Sequence, residues 1–388
     1  MLKILFVLNT FPGLGGVETV TVNMIEALGS DNDIYVAAFH KMQGFELPGK
    51  VKKAFYLKDG MTESNIVSYN DFVSEYGITH VINQGMYYFL SDIVLNPWRN
   101  PNVKVISVLH GMPGYEKKEY WCQDHIKNAG VFKALSKKIL GKFGVNRKYN
   151  RYLQKFAAGF SLAARKSDVS VLLCKEYIRK FTGLYVKDAD KVNFVAIQNP
   201  LSRYYSGQPE PDMNKKENII LYVGRLSEEK NILDILKAWR RLQRTLDGWR
   251  LQIVGDGPVR SKLEEYARKM SGVEFTGYIH DPSVYYGKAK ILLLTSRFEG
   301  YPMVLIEAQR FGVVPVAYPS SDGVVSILKD EGGIMVPEKT PKALAEAVEC
   351  LASDCGRMEQ LSFSAYRKSD SNTITAVAGK WRELLGSL

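Results

Sequence analysis

No stretch of the 388 residues carries the roughly 20 consecutive apolar side chains that cross a bilayer, so a membrane-spanning helix is not expected. The opening Met1–Leu8 has the apolar character of a signal peptide. Its run stops at Asn9 with no small-residue cleavage site, and it reads as a first β-strand. Cysteine is scarce. Cys122, Cys174, Cys350 and Cys355 show neither CxxC nor metal-ligand spacing, which argues against a disulfide scaffold or a zinc site and suits reduced thiols in a cytosolic protein. Low-complexity tracts and short repeats are missing, and 46% hydrophobic with 24% charged residues is the composition of a folded globular chain. The length exceeds one typical core, so two domains are expected.

Acidic residues are absent between Asp124 and Asp168. That window holds eleven of the 52 lysines and arginines, leaving 41 elsewhere against 41 Asp and Glu, so the whole net charge of +11 belongs to one segment. Lys133, Lys137, Lys138, Lys142, Arg147, Lys148, Arg151 and Lys155 are interleaved there with Ile139, Leu140, Phe143, Tyr149, Tyr152, Leu153 and Phe156. Such a segment suits an anionic membrane surface or a lipid-phosphate acceptor. A solvated face over buried aromatics and attraction to nucleic acid are the other readings of the same residues.

Short apolar strands alternate with helical patterns twice along the chain. Ile4–Leu8, Ile34–Phe39, His80–Asn83, Val103–Leu109 and Val169–Leu173 form the first series of strand candidates. Ile219–Val223, Leu251–Val254, Val273–Phe275, Ile291–Leu294 and Val313–Ala317 form the second. This alternation predicts α/β architecture with two parallel, Rossmann-like sheets. The expected boundaries are residues 1–200 for a first domain and 201–365 for a second. A helical tail, 366–388, is expected to pack back toward the first domain, with Trp381 as an anchor.

Ligands of open parallel sheets gather beyond the carboxyl ends of the strands, and several loops there carry chemistry. Phe298–Glu307 places two carboxylates, Glu299 and Glu307, eight positions apart. Pro302 suits a first helical position and Gly312 the position past the helix end. Glu307 then shares a helical face with Met303, Val304, Ala308 and Phe311, where a carboxylate needs a partner, either a protein group or ligand hydroxyls. The helix N-terminus near Gly300, Tyr301 and Pro302 would suit a phosphate. Gly224-Arg225 and Lys230 follow a strand, and the two cations could neutralise a diphosphate. Ion pairs with Glu228 or Glu229 are the plainer reading of both. Gly15-Gly16 opens another strand-to-helix turn, and Glu18 stands where a dinucleotide fingerprint needs a small residue, so NAD is disfavoured. His110, one of five histidines, ends a strand, where it could donate to a substrate oxygen, orient it, or simply make a structural hydrogen bond. Asp31-Asn32-Asp33 and Asp188-Ala189-Asp190 lie in turns at the wrong sheet end for metal chemistry.

Taken in order, Gly15-Gly16-Val17-Glu18, His110-Gly111, Gly224 to Asn231 and Glu299-x7-Glu307 resemble the motifs of the family-4 retaining glycosyltransferases of GT-B fold, with Asn199-Pro200 at the usual domain crossing. The resemblance implies two Rossmann-like domains facing each other across a cleft. It implies a nucleotide-diphosphate sugar, most often a UDP-sugar, as donor, with no essential metal or other cofactor. Glu307 would hold the ribose diol, Glu299 the hydroxyls of the transferred sugar, and Arg225 and Lys230 the diphosphate. Tyr278 and Ile279 would cradle the base, His110 would lie near the donor sugar, and Gly300 to Val304 would complete the phosphate site. The acceptor would be lipid-linked or an oligosaccharide, as in cell-surface polysaccharide or lipopolysaccharide assembly. The implied location is the cytoplasmic face of the cell membrane, with no nucleic-acid partner. Ser326 departs from the pattern, because relatives often place a carboxylate there. An epimerase of the same architecture and a non-catalytic nucleotide-sugar-binding membrane partner are the rival readings.

Overall fold

A computed structural model describes residues 1–388 except 59, 61, 87–88, 116–149, 152, 187 and 189–190. The chain divides into two compact units. Unit 1 comprises Met1–Ile197 with Leu384–Leu388, and unit 2 comprises Gln198–Glu383.

Unit 1 is built on a seven-stranded sheet. Its strands are β1 (Lys3–Thr10), β2 (Asp33–His40), β3 (Val51–Tyr56), β4 (His80–Asn83), β5 (Lys104–Leu109), β6 (Val169–Leu172) and β7 (Phe194–Ala196). Their order is β3-β2-β1-β4-β5-β6-β7, and every pairing is parallel. The central strands are apolar on both faces because helices cover both sides of a parallel sheet, and Ile4 to Val7 are fully buried. The order reverses between β1 and β4, which places the loops after these two strands at the topological switch point. Two of the seven strands, β3 and β7, lie outside the sequence pattern. The first is an edge strand whose Lys52 and Lys53 are exposed, and the second has only three residues.

Unit 2 repeats the plan with β8 (Ile219–Val223), β9 (Arg250–Val254), β10 (Val273–Gly277), β11 (Ile291–Leu294), β12 (Val314–Ala317) and β13 (Ile334–Met335). The order is β10-β9-β8-β11-β12-β13, again parallel, and the switch point falls between β8 and β11. One face of this sheet packs on the helix Ile232–Leu242, whose Ile235, Leu236 and Trp239 are buried at helical spacing. The other packs on Leu305 and Ile306 of the helix Met303–Arg310. The crossing residues are tied into unit 2. Asn199 donates to the Tyr301 carbonyl at 3.3 Å, and Asn372 donates to the Asn199 carbonyl at 3.0 Å. The last helix runs Ile374–Gly386 with Trp381 buried. Among the described residues no helix is long and apolar enough to cross a membrane.

Candidate functional site

In unit 2 the loops after β8 and β11 flank the switch point, and backbone contacts lace them together. Thr295, just past β11, donates to the carbonyls of Lys230 at 3.2 Å and Asn231 at 3.0 Å. The Arg297 N–H donates to the Glu229 carbonyl at 2.8 Å. This lacing brings Lys230 Nζ to within 2.7 Å of Glu299 Oε1, which also accepts from Ser296 Oγ at 2.6 Å. The Glu299 side chain is 10% exposed and that of Lys230 27%, so the pair is largely withdrawn from water, where its attraction is weakly screened. Lys230 thus pairs across the sheet, not with its neighbours Glu228 or Glu229, and Glu229 accepts instead from the Ser227 hydroxyl. Arg225 is exposed, and its backbone carbonyl is held by the Tyr222 hydroxyl at 3.0 Å.

A third loop, after β9, buttresses the first. Gly224 N–H donates to the Val254 carbonyl at 3.0 Å and Leu226 N–H to the Asp256 carbonyl at 2.8 Å. Gly255 and Gly257 have φ of +146° and +157°, and a Cβ on either would run into the backbone carbonyl of Gly224 or Leu226 respectively. Glycine is therefore the residue that lets the two backbones touch here. Gly255-Asp256-Gly257 reads in the sequence as a plain turn. Its function as a support for the Arg225 loop is visible only once β9 lies beside β8.

Glu307 lies in the helix Met303–Arg310, which Pro302 precedes as N-cap with φ −68° and does not enter, while Gly312 follows the helix at φ +64°. Glu307 is half-buried and its Oε2 accepts from the Tyr286 hydroxyl at 2.8 Å. The partner that a carboxylate on this apolar face requires is thus a protein group. Tyr286 stacks on Phe311 with ring centroids 5.6 Å apart, and Tyr205 meets Phe311 edge-on at 5.5 Å. Desolvation against this aromatic floor raises the Glu307 pKa to about 7. The Tyr286 hydrogen bond works in the opposite direction, and the nearby Asp281 charge adds to the rise. Tyr301, Met303 and Val304 are half-buried, Ile279 is half-buried and Tyr278 is 54% exposed just past β10. Ser321 Oγ donates to the Gly300 carbonyl at 3.3 Å and caps the next helix, Asp322–Leu328, which contains Ser326.

Unit 1 supplies a second cluster. His110, just past β5, is bound through Nε2 to Gln84 Oε1 at 2.6 Å, and Gln84 Nε2 in turn donates to Thr21 Oγ1 at 3.2 Å. Thr21 anchors to the Val17 carbonyl at 2.8 Å within the helix Gly16–Leu28. Because Gln84 Oε1 only accepts, the His110 proton sits on Nε2 and Nδ1 becomes an acceptor. Burial lowers the His110 pKa to about 4, so the ring is neutral around pH 7. The neutral ring therefore presents a lone pair where the sequence reading allowed a donor. Gln84 is the member of this cluster that sequence reasoning misses, and its only signal is its place at the carboxyl end of β4. Gly15 is the N-cap of the helix that Gly16 opens. The Glu18 carboxylate folds back over Gly15 so closely that a Cβ there would collide with it, and burial raises its pKa.

Of the basic segment, Lys133, Lys137, Lys138, Lys142, Arg147 and Lys148 lie outside the described residues, while Arg151 and Lys155 are exposed. Asn32, in the first Asp-x-Asp triplet, accepts from the Leu2 N–H at 3.0 Å, a turn role. Asp188 faces Arg165 at 3.5 Å. Among the described residues no three His, Cys, Asp or Glu side chains converge as a metal-ligand set.

Residues 208–368 match the sequence model of the glycosyl transferases group 1. The whole chain aligns at 25% identity, covering 100% of it and 99% of the relative, with the GalNAc-alpha-(1->4)-GalNAc-alpha-(1->3)-diNAcBac-PP-undecaprenol alpha-1,4-N-acetyl-D-galactosaminyltransferase of Campylobacter jejuni. A shorter match, 31% identical over 44% of this chain, is to the amylovoran biosynthesis glycosyltransferase AmsD of Erwinia amylovora, of which it spans about half (49%). Among solved structures, Anabaena HepE in complex with UDP superposes with a TM-score of 0.75 at 14% identity, covering 100% of both chains. WaaG, a glycosyltransferase of lipopolysaccharide biosynthesis, does so with 0.68 at 15% identity, over 98% of this chain and 99% of WaaG. These two likenesses bear on the fold, which is the α/β class with two parallel-sheet domains of the GT-B glycosyltransferases. The switch-point loops of unit 2 that hold Arg225, Lys230, Glu299 and Glu307 all lie within residues 208–368, the segment that matches the glycosyl transferases group 1.

Proposed function

We propose that this protein is a retaining, metal-independent glycosyltransferase of family 4. In this reading it moves a hexosyl or N-acetylhexosaminyl residue from a UDP-sugar to a lipid-linked saccharide at the inner face of a bacterial membrane. The observation that carries the reading is the Lys230–Glu299 pair beside the Arg225 loop at the switch point of the second sheet. A carboxylate with an ammonium at 2.7 Å offers an acceptor for sugar hydroxyls next to a cation for phosphate oxygens, the two demands of a sugar diphosphate. Arg225 and Lys230 take the charge that builds on the leaving diphosphate, the task a metal ion performs in other transferases. Glu307 accepts from the ribose diol once ionised, and the backbone around Tyr278 and Ile279 receives the base. His110, neutral and fixed by Gln84, accepts from a hydroxyl of the transferred sugar through Nδ1. UDP as the nucleoside diphosphate is favoured by the likeness to HepE, which was solved with UDP and with UDP-glucose. A polyprenyl-diphosphate-linked acceptor is favoured by the activity for which the Campylobacter relative is named.

The test is thermal stabilisation by a panel of UDP-, GDP-, ADP- and TDP-sugars with and without EDTA, because a ligand that binds the native state raises its apparent stability. A shift from UDP-sugars that EDTA leaves intact is the expected result. Stabilisation by none of them, or only with a divalent cation, overturns the assignment.

A further inference from the structure

Unit 2 carries a second cationic feature that the donor loops do not use. A cavity of ≈ 610 Å³ is lined by Lys237, Arg240, Arg241, Arg244, Lys342 and Tyr266, together with Thr340 and Pro341. Lys237, Arg240, Arg241 and Arg244 follow the i, i+3, i+4, i+7 spacing, so they form one stripe along the helix Ile232–Leu242 and its continuation. Lys342 comes from the first turn of another helix, Pro341–Ser353, whose positive end faces the same space. Five cations from two elements therefore converge on one concavity. None of them belongs to the loops holding Arg225, Lys230, Glu299 or Glu307.

The neutralisation of this cluster is incomplete. Lys237 pairs with Asp234 at 3.6 Å and Lys342 with Glu346 at 3.6 Å. Among the described residues, Arg240, Arg241 and Arg244 make no ion pair, and all three are exposed. Compensation of the helix dipole accounts for Arg240 and Arg241 in the last turn, but not for Lys237, Arg244 or Lys342. Like charges three and four residues apart repel, which sets a cost against that gain. A guanidinium fork matches two oxygens of a phosphate, and Tyr266 and Thr340 add hydroxyls at the wall. The volume also exceeds one phosphate group and falls in the range of small-molecule sites.

We propose that the cavity between the Lys237–Arg244 stripe and Lys342 is a binding site for phosphate groups, distinct from the donor loops. The phosphate can come from a soluble polyphosphate or from an anionic lipid headgroup, and two probes separate the sources. Inorganic tripolyphosphate is titrated calorimetrically, and co-sedimentation is measured with vesicles of phosphatidylglycerol in phosphatidylcholine against phosphatidylcholine alone. Both are run on the full chain and on the Arg240→Gln/Arg241→Gln/Arg244→Gln triple variant. Its three side chains are exposed, so the fold is expected to persist. The matching triple Arg→Lys variant keeps the charge.

Removing each charge-assisted hydrogen bond is expected to weaken binding about tenfold, with the Lys variant intermediate. A loss confined to tripolyphosphate identifies a soluble ligand, and a loss confined to phosphatidylglycerol vesicles identifies the headgroup. Wild-type affinity of the Gln variant for both probes overturns the proposal. Should the triple variant fail to fold, the three single Arg→Gln variants carry the same comparison. UDP binding is followed in parallel and is expected to be unchanged, so a failure of the donor assignment is recognised separately.

Discussion

Under the proposed function, the Glu307 carboxylate makes nucleotide binding depend on pH in a way that can be worked out in advance. Its pKa in the free protein is about 7 because its wall is aromatic and apolar, against an ordinary value of 4.5. A donor whose hydroxyls need an ionised acceptor binds only the deprotonated fraction, and the apparent Kd is the intrinsic one divided by that fraction. The fraction rises from about one-tenth at about pH 6 to about nine-tenths at about pH 8, so affinity for UDP-glucose is expected to improve about tenfold over that interval. Calorimetry with UDP-glucose, whose diphosphate does not titrate in this range, at about pH 6 in buffers of different ionisation enthalpy is expected to count nearly one proton released per donor bound. Glu307→Gln is expected to weaken binding and to flatten both the pH dependence and the proton count. The same group acts on stability with the opposite trend. Between about pH 4.5 and about pH 7 the folded chain holds a proton that the unfolded chain has lost, so stability falls as pH rises through that window, by up to about 3 kcal/mol. Glu307→Gln removes this decline. Flat wild-type binding from pH 6 to 8 with no proton released would refute the assignment of Glu307 to the nucleotide.

Three further outcomes follow from the same geometry. Tyr286→Phe deletes the 2.8 Å hydrogen bond that holds the Glu307 pKa down, so the midpoint of UDP-glucose binding is expected to move to higher pH; a midpoint that stays put or falls contradicts the role given to that hydroxyl. Gly255→Ala drives a Cβ into the Gly224 carbonyl at a backbone angle suited to glycine, and a loss of about 2–4 kcal/mol is expected in denaturant unfolding, with wild-type stability as the refuting result. Gln84→Leu leaves the His110 Nε2–H without its acceptor and frees the ring to turn, so kcat is expected to fall about tenfold or more with little change in UDP affinity, and Gln84→Glu, which still accepts, is expected to restore part of it. Equal loss in both variants would show Gln84 to be merely structural.

What the sequence discloses and what it withholds divide along one physical line. Gly224 to Asn231 and Glu299 to Glu307 are legible because strand, loop and helix follow one another locally, and such loops lie at the carboxyl end of a parallel sheet. The two-sheet architecture is legible for the same reason, since buried parallel strands are short continuous apolar runs. Edge strands lack that signature: β3 carries exposed lysines and β13 has two residues, so neither announces itself. The partners of the site residues are withheld altogether. Lys230 meets Glu299 across 69 positions, His110 meets Gln84 across 26 and Glu307 meets Tyr286 across 21. The first two meetings depend on which strands become neighbours, β8 with β11 and β4 with β5, and the third on two successive helices packing on one face of the second sheet; nothing in a loop's own residues encodes that arrangement. The consequence reaches the chemistry. Local composition offers Arg225 and Lys230 as two equivalent cations, but the strand order makes one of them half of a sheltered pair and leaves the other exposed. The two positions should therefore fail differently, Lys230→Ala costing stability as well as turnover because it strands the Glu299 carboxylate, and Arg225→Ala costing turnover alone.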